Sequence, residues 1–193
     1  MSPGGHLVTT AIAGGALYAA TGSLPLVAGL AAGGFLIDVD HMVDYVAFEG
    51  RRELRPGAFL RYYLSGRAKR VVLMLHSYEL MVLLALVAWA TGWVPLWGYI
   101  LGMALHLPLD IVFNGRVAGH SLVAFYSFIY RWRADFRAAD LFRSGPVRPA
   151  GAGFWTAFFV GAVRTDGHPR QGRGDERGAT RALADSRGRH LVS

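Results

Sequence analysis

Polar and apolar positions do not alternate along this chain; they segregate into long blocks. From Leu7 to Ile37 no side chain carries a charge, and between Val71 and Val112 only Glu79 and Asp110 do. Blocks of this kind predict membrane-embedded helices, because a lipid-facing helix has no polar face to show. Four such helices are expected in two hairpins. The first runs from about His6 to Ala20 and the second from about Leu24 into an aspartate cluster. The third runs from about Val71 to Ala90 and the fourth from about Pro95 to Phe113. Their turns share a wording, Thr21-Gly22-Ser23-Leu24-Pro25 and Thr91-Gly92-Trp93-Val94-Pro95, in which Gly and Pro act as breakers. The repeated turn hints at an internal duplication.

Beyond the fourth helix, the aromatic-rich stretch Ser121 to Phe136 reads as a fifth span or a helix lying in the interface. Phe154 to Val163 is too short to span. From Arg164 onward the chain is Gly- and Arg-rich without apolar periodicity, which predicts disorder. The expected architecture is an all-α integral membrane helical bundle of about four spans, with an additional amphipathic or fifth helix and a disordered C-terminal tail. A membrane-embedded domain would occupy residues 1–163 and the tail residues 164–193.

Composition sharpens this picture. The chain is 53% hydrophobic and contains no cysteine, so any metal must be held by imidazole and carboxylate rather than thiolate. No basic stretch precedes the first apolar run, so a cleaved signal peptide is not expected. A net charge of +7 would suit nucleic acid, but the basic residues flank the apolar blocks, as anionic headgroups also require. No nucleic-acid partner is therefore expected. Arg51, Arg52, Arg55, Arg61, Arg67, Lys69 and Arg70 lie in one loop, whereas both tight turns are uncharged. The positive-inside rule then puts the basic side in the cytoplasm, for a multi-pass protein of the inner (cytoplasmic) membrane.

Ionisable groups inside apolar runs are costly and are usually functional. Here they fall at His6, at Asp38, Asp40, His41 and Asp44, at His76 and Glu79, and at His106 and Asp110. Counted from the outward turns, His6 lies fifteen residues before Thr21, Asp38 thirteen after Pro25, His76 fifteen before Thr91 and His106 eleven after Pro95. At about 1.5 Å per residue, all four sit roughly 16–23 Å below the turns, in one layer. His106 and Asp110 share a helical face, as do His76 and Glu79, and each pair has a simpler reading as a hydrogen-bonded tie between helices. Asp38, Asp40, His41 and Asp44 fit within an arc of about 160° if helical, where three carboxylates repel unless cations neutralise them. Asp44, nearest to water, reads as a solvated helix end. His120 is a ligand or a loop residue, and nothing is assigned to His168 or His190.

The order of these motifs resembles the YdjM-like membrane-bound metal-dependent hydrolases. The likeness rests on His6, the run Asp38-Val39-Asp40-His41, His76-Ser77 and the run from His106 to Asp110, and it covers roughly residues 6–121. Two features depart from that family: Ile37 stands where a proline is common, and the nearest basic residue to His76-Ser77 is Arg70. The helical His/Glu and His/Asp pairs are similar, more distantly, to those of zinc-dependent phospholipase C enzymes. The resemblance implies a hydrolase.

The ligands expected are His6, Asp38, His41, His76, His106 and Asp110, with Asp40 and Glu79 as groups that either support a ligand from outside or take up a proton as the catalytic base. Imidazole with carboxylate suits zinc, manganese or iron, as one or two ions. The expected reaction is hydrolysis of a phosphoester or lipid-like substrate by a metal-activated water at the cytoplasmic leaflet. The bilayer, and anionic lipid drawn to Arg51, Arg52 and Arg55, are the expected partners. Two other functions fit the same residues: a membrane di-iron oxidoreductase, and a non-catalytic metal-binding interaction protein.

Overall fold

The computed structural model describes residues 1–114, 121–142, 147–149 and 153–164. It shows an all-α fold. The first hairpin pairs α1 (Pro3–Thr21) with α2 (Leu24–Gly34), and the second pairs α5 (Tyr78–Thr91) with α6 (Val94–Asn114). Between them lie a 3-10 turn (Leu36–Asp38), α3 (Val39–Ala47) and α4 (Pro56–Leu64). After α6 come the short helices α7 (Leu122–Phe125), α8 (Phe128–Arg133), α9 (Ala138–Leu141) and α10 (Phe154–Val160). The strands β1 (Val147–Pro149) and β2 (Ala162–Arg164) pair antiparallel, with Arg148 opposite Val163.

The shared turn wording has a shared geometry. Gly22 and Gly92 end their helices in the left-handed region, at φ 64° and 65°, where glycine has no Cβ to clash. Thr21 Oγ1 donates to Leu17 O at 2.7 Å and accepts from Ser23 N at 3.2 Å. Thr91 Oγ1 repeats the pattern with Val87 O at 2.8 Å and Trp93 N at 3.3 Å. The hairpins then lock α2 against α6 backbone to backbone. A Cβ on Gly33 would stand 2.0 Å from Tyr99 O, and one on Gly98 would stand 2.1 Å from Leu26 O. Only glycine permits that approach.

The count of membrane spans is lower than the sequence suggests. Among the described residues, α6 is the one helix long and apolar enough to cross a bilayer. A second arises only if α2 and the segment Leu36–Ala47, bent by 41° at their junction, are taken as one broken span. The third expected helix starts at Tyr78, not Val71, which leaves α5 only 14 residues. Its start is set by Ser77, whose side chain accepts from Leu80 N, and by the capture of the preceding backbone by carboxylates of α3. The expected fifth span is broken into α7 and α8 at Ser127, which caps α8 by accepting from Tyr130 N. The expected tail (164–193) lies, from residue 165 on, outside the described residues, as do His120, His168 and His190.

Candidate metal centre

The candidate ligands reach the centre from four separate parts of the chain. His6 projects from the second turn of α1, and Asp38 ends the 3-10 turn that follows α2. His76 lies in the non-helical segment before α5, while His106 and Asp110 share a face of α6. The close packing of α2 on α6 brings Gly34 O within 3.0 Å of His106 Nδ1. A carbonyl only accepts, so the His106 proton sits on Nδ1 and Nε2 offers a lone pair.

Around His106 Nε2 the other donors gather. His76 Nε2 lies at 3.2 Å, Asp38 Oδ1 at 3.5 Å and Asp110 Oδ2 at 3.3 Å. Asp38 Oδ1 is 3.4 Å from His76 Nε2, and His6 Nε2 is 2.9 Å from Asp110 Oδ1. His6 stacks on His106 with ring centroids 3.7 Å apart. Two triads can each hold an ion: His6, His106 and Asp110, and Asp38, His76 and His106. A metal–nitrogen bond of about 2.0–2.1 Å implies a tetrahedral ligand edge of about 3.3 Å. The separations around His106 cluster at that value, so the donor set fits a divalent ion by spacing as well as by chemistry.

Surrounding groups hold the donors in place. Asp40 Oδ2 accepts from His76 Nδ1 at 3.4 Å, which turns His76 Nε2 toward the centre. Asp110 accepts from Tyr126 Oη at 3.1 Å, from Asn114 Nδ2 at 2.8 Å and from the Met1 amino group. Burial acts to lower the His76 imidazolium, but Asp38 and Asp40 outweigh it and raise it to about 9, so the site favours a cation. His6 Nδ1, His41 Nδ1 and Thr10 Oγ1 are buried without a partner among the described residues. His6, His76, His106 and Asp110 are buried, whereas the Asp38 side chain is 24% exposed and marks the open side.

Other sequence candidates fall at the margin or outside. His41 Nε2 is 3.7 Å from Asp38 Oδ1 and 3.2 Å from Tyr63 Oη, and His41 belongs to neither triad. Asp40 accepts from Leu75 N at 2.6 Å and from His76 N at 3.3 Å as well as from the imidazole, so its carboxylate orients a ligand. Glu79 points elsewhere: it accepts from Ser127 Oγ, from Phe128 N at 2.8 Å and from Ile129 N at 3.2 Å, as an anion at the N-terminus of α8. It does not share a helical face with His76, because His76 precedes the helix. Asp44 is not a solvated helix end; it is buried, and Oδ2 accepts from Val72 N at 2.7 Å and Leu73 N at 3.2 Å.

Sequence reasoning missed Tyr63, Tyr126 and Arg131. The tyrosines lie in aromatic-rich stretches where nothing local separates a hydroxyl aimed at the site, Tyr63 at His41 and Tyr126 at Asp110, from ordinary interfacial packing. Comparison with known protein families, with curated proteins and with solved structures yields no match.

Proposed function

We propose that this chain is a membrane-bound metal-dependent hydrolase acting on a phosphoester or lipid-like substrate at the cytoplasmic leaflet. The observation that carries this reading is the pair of triads that share His106, His6 with His106 and Asp110, and Asp38 with His76 and His106, with the imidazole tautomers set by Gly34 O and Asp40. A divalent ion held there would supply Lewis acidity and activate water near neutral pH.

The chain's own residues divide the remaining work. His106, shared by both triads, presents one lone pair, so it serves a single ion. A second ion would have to complete its shell with a donor from outside the triads. We therefore favour one ion per chain, and zinc on the basis of the imidazole-rich, sulfur-free donor set. Asp38, the most open donor, meets incoming substrate and is placed to take up a proton on its carboxylate. Asp40 keeps His76 in register, and Tyr126 with Asn114 does the same for Asp110. Leu36, Val39 and Val43, close to Asp38 in the sequence, are exposed, which suits a substrate with an apolar part. Membrane residence is supported by the length and hydropathy of α6 and by exposed Ile12, Leu83, Leu86, Trp89, Val112 and Phe113.

The test is elemental analysis of protein purified after expression in metal-supplemented medium, joined to hydrolysis of a chromogenic phosphoester and of phospholipid in mixed micelles. One equivalent of zinc and turnover lost in His106→Ala are expected. Protein without stoichiometric metal would end the metal reading. Two equivalents of iron with charge-transfer absorption would replace it with the di-iron oxidoreductase, and full metal without turnover would leave a non-catalytic metal-binding protein.

A further inference from the structure

In the segment from Val72 to His76, Val72, Leu73 and His76 are buried while Met74 is exposed; the segment lies outside any helix and has no neighbouring strand to satisfy its backbone. Ionised side chains do so instead. On one side Asp44 accepts from Val72 N and Leu73 N, and Asp40 accepts from Leu75 N and His76 N. On the other side stands Arg131, 0% exposed and without a carboxylate partner among the described residues. Its Nε donates to Val72 O at 3.0 Å, Nη2 to Leu73 O at 2.8 Å, and Nη1 to His76 O at 3.1 Å and to Phe125 O. Leu73, gripped from both sides, has φ 45°, a left-handed conformation that a leucine holds only when its surroundings force it.

We propose that Arg131 is a positioning residue for the metal centre: pulling on three carbonyls against Asp40 and Asp44, it holds Val72–His76 in this strained path and so places the His76 imidazole. The proposal rests on the metal-centre reading for its consequence, although the strap itself does not. A buried guanidinium spent wholly on carbonyls stabilises little that a neutral, well-packed side chain could not, and burial lowers it to about 10. What an apolar replacement could not supply is a rigid fork of donors that fixes several carbonyls of one segment at once. Arg131 thereby links α8 to the centre without touching any ligand side chain.

The experiment compares Arg131→Lys with the full-length parent in detergent micelles, using cobalt(II) as probe, histidine side-chain nitrogen-15 resonances and thermal unfolding. Lysine keeps the charge but cannot bond all the carbonyls. Cobalt affinity should fall about 10- to 100-fold, the usual effect of losing an outer-shell partner. The visible bands should shift, and the His76 resonances should move while those of His6 and His106 stay. Unchanged affinity with unmoved His76 resonances would overturn the proposal. So would equal movement of all three histidines, which marks a global rather than a positioning role.

If Arg131→Lys does not fold, Asp44→Ala, which leaves Val72 N and Leu73 N without their acceptor, releases the same segment from the opposite side. Selective movement of His76 in that variant supports the strap, and no movement or general movement overturns it. If the parent takes up no cobalt, the metal reading falls, and the His76 resonances still decide the role of Arg131.

Discussion

His106 is committed at both nitrogens: Nδ1 gives its proton to Gly34 O, and Nε2 faces His76, Asp38 and Asp110. Its removal therefore differs in kind from removal of the others. His106→Ala dismantles both triads and should abolish stoichiometric zinc, whereas His6→Ala leaves Asp38, His76 and His106 and should only weaken binding. Isothermal titration of the purified variants with zinc separates the two outcomes. Asp40→Ala strips the acceptor from His76 Nδ1 and from two amides, and zinc affinity should fall about 10- to 100-fold. If Asp40→Ala leaves affinity unchanged while eliminating turnover, Asp40 acts on substrate instead of orienting His76. At this scale the sequence was most legible where an ionisable group interrupts an apolar run, as at Asp38, His106 and Asp110. It was least legible where the partner is a backbone. Asp44 looks like an ordinary helix-end acid and Glu79 like a partner of His76 inside an apolar run, and only the folded chain shows Asp44 gripping Val72 and Leu73 while Glu79 caps α8.

Elements repeat that contrast. The Thr-Gly turn wording announced two hairpins, and the turns are conformational copies because a threonine back-bond and a left-handed glycine follow from local chemistry. Local chemistry did not announce the path of Val71 to Ser77. Its apolar run reads as helix, yet carboxylates from α3 and a guanidinium from α8 take its hydrogen bonds. Counting residues from the turn as if that stretch were helical nevertheless put His76 at the level of the other donors.

The α2·α6 contact offers a clean test of what positions His106. Gly33→Ala drives a Cβ into the Tyr99 carbonyl region, so α2 and α6 must separate and Gly34 O must leave His106. Loss of about 1–3 kcal/mol of stability, the usual cost of overpacking, is expected together with weaker zinc binding. Gly15→Ala, at a helix-interior position with nothing within 4 Å, should instead stabilise by about 0.5–1 kcal/mol and leave zinc untouched. Thermal unfolding and zinc titration of the two variants check both. Equal effects would show that backbone approach is not what the contact provides.

For the molecule as a whole, the donors come from both hairpins: His6 and Asp38 from the first, His106 and Asp110 from the second, with His76 leading into it. Either triad draws on both hairpins, so an ion held in one fastens the halves together. Zinc in hundredfold excess over its dissociation constant should stabilise the fold by about 2.7 kcal/mol, and chelation should lower the melting temperature by roughly 5–10 °C. Scanning calorimetry with and without chelator measures this, and a melting temperature blind to zinc contradicts a shared shell. The exposed apolar side chains make a second whole-molecule prediction: the protein should stay with the membrane fraction through alkaline carbonate extraction. Release by carbonate would mean attachment through the basic loops alone. Net charge and block hydrophobicity were legible from the start. The number of helices long enough to span was not, because it depends on where tertiary contacts start and stop each helix.

Donors spread from residue 6 to residue 110 also impose a schedule. A chain emerging from the ribosome exposes Asp38, Asp40 and Asp44 long before their partners His76, the amides of Val72 and Leu73, and His106 have been made. Until synthesis passes His76, Asp40 and Asp44 lack their amide partners and must wait in water, and neither triad is complete before His106 is made. Ion loading is thus a late event in biogenesis, and a nascent chain stalled before α6 would be the form most exposed to quality control.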